Sequence, residues 1–481
     1  MDDVRGRTNG KRNLQAYESQ PSLRNIATKS LVTCCLSAEL LLGVVLPGWS
    51  TTPGDVAPKT LREQDVAVVF TVRIVPRTEA VLASPQIKLR LPVDLPHQTL
   101  GQLDIEGTPK RVADLWNSPV LVYERAELRP GEILTGRWMA SARVREFQWK
   151  LPPSPVESRM SLSAEERSLY LRDATGFALT NPVIRDAAQQ ACAGRSNDLS
   201  RLEGIFDLVM KRMQYARDGR WQPAPEALKT GKGSCSEYSY AFIALCRASG
   251  IPARYVGGIA GRAGVPFHVD TVFHRYPQAF MNGVGWVDFD PTRTDSKKDQ
   301  RMYFGRTSPN MLLLCIGDGG EGSLTGWDYL ESHRWSGGAT KAARIRTGWW
   351  FPEPPATVRK AVATFRENLA KPHQDADSLV AEALVIDHPF VLPWLDDLLY
   401  EPPARVNAAK AFLKIGGDGA LRAVINSLGR LQDREGDGQI GELLDSFTGQ
   451  NWGANRAKWQ EWLKIRRTPS PSSGLPREKR P

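Results

Sequence analysis

The stretch GKGSCSEYSYAFIALCRASG, residues 231–250, holds two of the chain's six cysteines. A thiolate is a strong nucleophile, whereas a thiol buried among apolar neighbours is inert packing. Ser234 followed three residues later by Glu237 is a capping-box spacing, and an apolar helical pattern through Tyr238, Phe242 and Leu245 follows it. Ser234 is then the N-cap and Cys235 the first helical residue. That position sets the sulfur against unpaired N–H groups and the positive end of the helix dipole, which favours thiolate. Cys246 lies eleven residues further on, where the dipole disfavours it. Gly231 and Gly233 read as room for a substrate to approach the backbone.

A thiolate needs a general base, a group to orient the base, and an oxyanion site before it can carry out acyl transfer. The histidines are His97, His268, His274, His333, His373 and His388. FHRYPQAFMNGVGWVDFDP reads as a hairpin, and a turn centred on Asn282 sets His274 opposite Asp290 on one face. A one-residue slip would bring Pro291 there instead, and Pro277 marks a bulge or an edge because it lacks an N–H. Taken singly, each residue has a plainer reading: Cys235 as packing, His274 as an ordinary strand residue, Asp290 as a turn former. The Cys235 N–H is the natural first oxyanion donor.

These residues need elements to position them. In VAVVFTVRIV the residues Val66, Val68, Phe70, Val72 and Ile74 alternate, as do Ile87, Leu89 and Leu91, then Trp138, Ala140, Ala142 and Val144. Such alternation predicts half-buried antiparallel strands, so residues 60–150 read as a β-sandwich. Leu202, Ile205, Phe206, Val209 and Met213 form a helical stripe. Strand-like runs ARYVGGIAG, TVFHRYPQAFM, GWVDFDP, RMYFG and NMLLLCIG follow, so residues 160–345 read as an α+β domain. VAEALVIDHPFVLPWLDDLL and NAAKAFLKIGGDGALRAVINSL read as two helix–turn–helix copies about 28 residues apart within a helical region at 376–465. The tail 466–481 has too little apolar content to order.

The chain has 481 residues and a net charge of +10, of which about eight charges lie in residues 1–30 and 464–481. The body is close to neutral, and no nucleic-acid partner is expected. The basic leader and the apolar run around Cys34 and Cys35 give residues 1–50 the layout of an export signal or membrane anchor. Cys192, Cys235, Cys246 and Cys315 show no CxxC spacing, so neither a zinc site nor a disulfide framework is signalled, and with no metal-ligand cluster or dinucleotide-type Gly-rich loop no cofactor is expected.

The blocks YARDGRW, ALKTGKGSCSEYSYAFIALCRASGIPARYVGG and GWVDFDPT, with a histidine twelve residues before Trp286, resemble the transglutaminase-like superfamily. That resemblance implies a papain-like fold and a Cys-His-Asp triad at Cys235, His274 and Asp290. LRLPVDLPHQTLGQL is similar to the β-domain that precedes this core in many bacterial secreted members, and the C-terminal helices look HEAT-like. The family's HAWxE is HRYPQ here. The expected architecture is a β-sandwich, a transglutaminase-like core and HEAT-like helices. The expected activity is acyl transfer on protein or peptide amides, by a hydrolase or a transglutaminase, in an exported or anchored chain. The C-terminal helices are a candidate contact for a protein partner. The competing expectation is a non-catalytic scaffold that retains the fold.

Overall fold

In the computed structural model VAVVFTVRIV is part of strand β1 (Lys59–Pro76). The model describes residues 58–466 apart from 78, 80, 153–159, 218, 220, 263, 293–300, 318–321, 327–329, 337–341 and 372–373. The expected leader or anchor segment and nearly all of the tail lie outside the described residues. No helix among the described residues is long and apolar enough to cross a membrane.

β1 is buried on both faces, not half-buried as its alternation suggests. Val66, Val68, Phe70, Val72 and Ile74 enter one core with Leu89, Leu121 and Trp138, while Ala67, Val69 and Val75 enter a second. The physical cause is a layer of helices over what would have been the solvent face. The sequence carries the sign of it, because from Val66 to Val75 only Thr71 and Arg73 are polar.

The N-terminal strands continue as β2 (Leu82–Arg90), β3 (Gln98–Ile105), β4 (Lys110–Ala113), β5 (Pro119–Glu124), β6 (Glu127–Leu128) and β7 (Leu134–Gln148). Helices α1 (Ala164–Leu171), α2 (Pro182–Cys192) and α3 (Asp198–Arg212) follow. Then come β8 (Gln214–Tyr215), α4 (Ala224–Thr230), β9 (Lys232–Gly233) and α5 (Cys235–Ala248). The remaining strands are β10 (Ala253–Ala260), β11 (His268–Asp270), β12 (His274–Met281), β13 (Gly285–Asp288), β14 (Met311–Gly317), β15 (Glu331–Ser336) and β16 (Ala342–Pro352).

Sheet membership cuts across chain order. One sheet runs β11-β16-β1-β7-β3 and a second β15-β2-β5-β4, with β6 on β2. β11, β15 and β16 thus come from far along the chain to complete the N-terminal sheets. The third sheet, β13-β12-β10-β14, is the platform for α5. RMYFG, expected as a strand, is instead a short 3-10 turn at Arg301–Tyr303 followed by a single bridge from Phe304 to Phe289.

α5 is buried on every side, from Cys235 through Arg247. Its apolar side chains share one continuous core with the inward face of β1 and with α2 and α3. Each large side chain buried in this way contributes about 1.5–3 kcal/mol. Arg247 is tolerated there because its guanidinium satisfies the Ala253 carbonyl at 2.7 Å and the Arg172 carbonyl at 2.7 Å.

The C-terminal region is helical: α6 (Ala356–Leu369), α7 (Ala376–Ile386), α8 (Leu392–Leu395), α9 (Arg405–Ser427), α10 (Arg434–Thr448) and α11 (Arg456–Arg466). Gly417, at φ 51° and ψ −138°, breaks α9 in two. Trp394, Leu395 and Phe412 from this layer pack with Val69, Trp349 and Phe351 of the first sheet. Amid that apolar interface Arg73 Nη1 meets Asp396 Oδ2 at 2.5 Å. Arg137 Nη2 meets Asp397 Oδ1 at 2.5 Å.

Candidate active site

Four consecutive residues set the start of α5. Ser234 Oγ accepts from the Ser236 N–H at 3.3 Å, and the Ser234 N–H donates to Glu237 Oε2 at 2.7 Å. The reciprocal bonds of a capping box are both present, which makes Cys235 the first residue of the helix. A Cβ on Gly233 would lie 2.3 Å from Glu237 Cβ, and one on Gly231 would lie 2.9 Å from the Arg212 carbonyl oxygen. Gly231 also takes a left-handed φ of 65°. The room read from these glycines as substrate access is used by the chain itself, to seat the cap.

His274 opens β12. The hairpin register is not the one its turn suggests: Gln278 pairs with Asp288 and Phe280 with Trp286, so the hairpin centres on Gly283 rather than Asn282. The offset moves each strand by one residue and leaves side-chain parity intact. Asp290 therefore becomes a diagonal neighbour of His274, two residues past the end of β13, and not its ladder partner. The side chains nevertheless meet, with His274 Nε2 2.7 Å from Asp290 Oδ2. The other carboxylate oxygen, Oδ1, accepts from the Thr292 N–H at 3.1 Å and from Thr292 Oγ1 at 3.0 Å. The Asp290 N–H donates to the Tyr303 carbonyl at 3.0 Å, so the RMYFG turn holds this carboxylate in place.

Pro277 sits in an interior strand, paired with Tyr255 of β10, and not at an edge. Its carbonyl accepts from the Phe289 N–H at 3.0 Å. Its missing N–H falls on that same side, where β13 has just ended, so the one bond it withholds, opposite Phe289, lies at the end of the ladder. Gln278 is buried, donating to Asp288 at 2.9 Å and accepting from Arg254 at 2.9 Å.

The backbone just before His274 is strained. Phe273 adopts φ 65°, a left-handed conformation that costs a non-glycine residue about 1–2 kcal/mol. Asp270 holds it, with Oδ1 accepting from the Val272 and Phe273 N–H groups at 2.9 Å each. The Phe273 ring packs edge-on against Phe70 of β1 at 5.5 Å. The aim of His274 is therefore set by an Asx-type bend and by a contact with the first sheet.

The electrostatics separate the cysteines. Burial pushes the Cys235 thiol up, but the hydrogen bond and charge of His274, the charge of Arg275 and the Arg275 N–H together bring it below the ordinary thiol value. Burial works against charge on His274 too, yet Asp290 and Cys235 raise it to about 10. With Nε2 committed to Asp290, Nδ1 is the ring nitrogen left for sulfur. His274 thus favours thiolate on Cys235, and Cys235 and Asp290 favour the charged imidazole. Cys246 is raised well above the ordinary thiol value, first by burial and then by Cys192.

Arg275, one residue beyond His274, escaped the sequence reading. It is buried, donates to the Tyr240 hydroxyl at 2.7 Å and lies over the Trp221 ring at 4.6 Å. The family's HAWxE has no cation at this place, so the departure itself was the available signal. The other described histidines serve elsewhere. His97 is buried and pushed down by desolvation, and His388 accepts from the Phe390 N–H at 3.1 Å. His268 lies in β11 opposite Trp350, and His333 faces Glu331. His373 is outside the described residues. Among the described residues no group of three or more His, Cys, Asp or Glu side chains is arranged to hold a metal.

Residues 185–291 match the family model described as the transglutaminase-like superfamily, so the chain carries a transglutaminase-like domain. A curated relative, an uncharacterized protein of Haemophilus influenzae, is 26% identical over 162 residues, spanning 28% of this chain and 42% of that protein. This chain thus covers less than half the length of the relative it matches. Among solved structures, the "Putative Cysteine Protease from Cytophaga hutchinsonii" is 14% identical, covering 62% of this chain and 94% of that one, with a TM-score of 0.46. A structure called a TGase is 10% identical, covering 42% of this chain and 46% of that one, with a TM-score of 0.19.

Proposed function

We propose that the protein is a cysteine acyl-transfer enzyme acting on amide bonds of a protein or peptide. The observation that carries the reading is the imidazole of His274, held by Asp290 at 2.7 Å and lowering the Cys235 thiol at the start of a capped helix. The Cys235 thiolate attacks the carbonyl carbon, forming a C–S bond while the carbonyl oxygen takes the negative charge. The Cys235 N–H, left over by the helix, faces that oxyanion. His274 then delivers its proton to the amide nitrogen as the C–N bond breaks, leaving a thioester and neutral imidazole. His274 next takes a proton from water or from an amine as that nucleophile attacks the thioester. Loss of the C–S bond restores thiolate and imidazolium. Asp290 orients the ring throughout and stabilises its charged form.

The family likeness supports either second nucleophile, water or amine. Incubation of a peptide library with and without an amine donor, read by mass spectrometry for wild type and Cys235→Ala, distinguishes them. Cleavage or deamidation in the wild type alone identifies a hydrolase, and incorporation of the donor identifies a transglutaminase. Identical spectra for the two proteins would leave the scaffold reading in its place. Export or anchoring through residues 1–50, and a partner contact on the HEAT-like C-terminal helices, belong to the same proposal. Fractionation of tagged full-length protein tests the first of these.

A further inference from the structure

Arg275 follows His274 in β12, and neighbouring residues of a strand point to opposite faces of its sheet. His274 turns to Asp290, and Arg275 turns to α5, the helix that Cys235 opens. Arg275 is 1% exposed, and its Nη1 donates to the Tyr240 hydroxyl at 2.7 Å. Tyr240 stands five residues after Cys235 on α5. Helical side chains lean toward the N-terminus of their helix, so the phenol reaches back toward the first turn.

Three aromatic rings enclose the guanidinium. The ring centroids of Trp221, Tyr255 and Tyr240 lie 4.6, 5.5 and 5.7 Å from it. Ring faces attract a cation. Trp221 belongs to a segment that is itself tied to the helix start, because the Gln222 N–H donates to Glu237 Oε1 at 3.4 Å. Glu237 is the capping carboxylate of the first turn, and its Oε2 accepts from the Ser234 N–H and from Ser234 Oγ at 2.7 Å each. The guanidinium thus lies between a segment fixed to the first turn of α5 and a side chain from the second.

The rings do not cancel the charge. Burial pushes Tyr240 up to about 12 and Tyr255 well above the ordinary phenol value, so both hydroxyls stay neutral near pH 7. Burial raises the Cys235 thiol, and after His274 it is the charge of Arg275 and its N–H that lower it. Guanidinium differs from imidazolium in kind, because His274 can pass its proton on and guanidinium keeps its own.

We propose that Arg275 is a positioning residue of the Cys235 site: its guanidinium, held between Tyr240 and Trp221, fastens the strand of the base to the helix of the nucleophile and gives the thiolate a permanent positive charge. The proposal rests on the reading of Cys235 as a nucleophile. A charge that outlasts the imidazolium matters once the thioester has formed and His274 is neutral, because the C–S bond must then break to release thiolate.

The test is the pH profile of iodoacetamide alkylation at Cys235 in the full chain, read by mass spectrometry of its peptide, with Tm measured on each variant. Arg275→Met removes the charge and keeps an unbranched apolar stem. It should move the midpoint upward by about one pH unit, with alkylation about tenfold slower below the midpoint, as loss of a nearby opposite charge implies. Arg275→Lys keeps the charge and should restore most of the profile whatever it does to Tm. Tyr240→Phe loses the bond that holds the guanidinium and should move the midpoint in the same direction by less. If Arg275→Met does not fold, Arg275→Gln, which keeps a donor for Tyr240 without the charge, carries the same expectation. An uncharged variant whose profile coincides with wild type overturns the proposal. So does an Arg275→Lys profile displaced as far as that of the uncharged variant, or a Tyr240→Phe profile identical to wild type. Each of these results leaves the reading of Cys235 in place while wild-type Cys235 alkylates faster than Cys246. Equal rates for those two cysteines would remove that reading, and this proposal with it.

Discussion

Two buried charge networks organise this molecule, and they use the same physics to opposite ends. At the start of α5, Cys235, His274 and Asp290 stand in a row. Between the first sheet and the C-terminal helices, Arg73 and Arg137 close on Asp396 and Asp397, with Glu106 2.9 Å from Arg137. Both networks take charge out of water and compensate it with opposite charge. In the first, a proton can pass between sulfur and imidazole, because His274 lowers the thiol while Asp290 and Cys235 raise the imidazole. In the second, guanidinium never gives up its proton. Burial pushes Asp397 up, but Arg137 and Arg73 hold it below the usual carboxylate range. The cations there keep their protons, and the network acts as a clamp. What separates the two networks is whether the cationic partner can give up its proton, not how deeply it is buried.

Breaking each network should damage a different property. Cys235→Ala should lower turnover by about 10⁴-fold or more, as loss of a nucleophile does, while Tm moves little. Steady-state assays and calorimetry on one preparation check both halves. Asp397→Ala should do the reverse, because it removes the carboxylate shared by two buried arginines. Removing one partner of a buried ion pair costs about 3–5 kcal/mol, read by denaturant unfolding, while Cys235 alkylation below the transition stays at the wild-type rate.

Smaller perturbations sharpen the contrast through pH. Iodoacetamide should alkylate Cys235 well below the ordinary thiol pKa of about 8.5, and far faster than Cys246. His274→Gln should move that alkylation profile upward, since the imidazolium no longer offsets burial. For stability, the sign follows from His274 lying at about 10 in the folded chain, above its unfolded value of about 6.5. Its contribution is complete below about pH 6.5 and disappears as pH rises through about 10. Asp397 is depressed, so its contribution is present above about pH 3.9 and is lost as pH falls through the folded value. The difference between wild type and His274→Gln should therefore fade in alkali, and that between wild type and Asp397→Asn in acid.

The mildest test concerns aim. Asp270→Asn keeps the shape but weakens two bonds to the strained Phe273 turn. It should reduce kcat by about tenfold, in line with a small misplacement of a catalytic group, with the alkylation pKa of Cys235 shifted upward by the loosened imidazole. An unchanged alkylation profile would show that the bend matters to stability alone.

Legibility followed the distance over which each interaction acts. Ser234 and Glu237 lie within one helical turn of Cys235, so the cap, the helix start and the contrast with Cys246 could be read from four residues. The bend that aims His274 could not be read, because Asp270 and Phe273 carry no local motif and the ring is seated on Phe70, about two hundred residues away in sequence. The hairpin register came out one residue off on each strand, since the third sheet and the Met281–Gly285 closure set it rather than Asn282. Parity survived because side chains alternate with a period of two.

By itself, then, the sequence determined which cysteine stands where a helix favours thiolate, which strands alternate, and where the chain turns helical. Only the tertiary structure decided that β1 would be covered on both faces, that β16 would travel back to pair with it, and that Asp290 would reach His274 diagonally. Caps and periodicities are energies between near neighbours and are written in short stretches. Coverage, register and the meeting of charges are energies between distant segments, and they take a value only when the core that brings those segments together has formed.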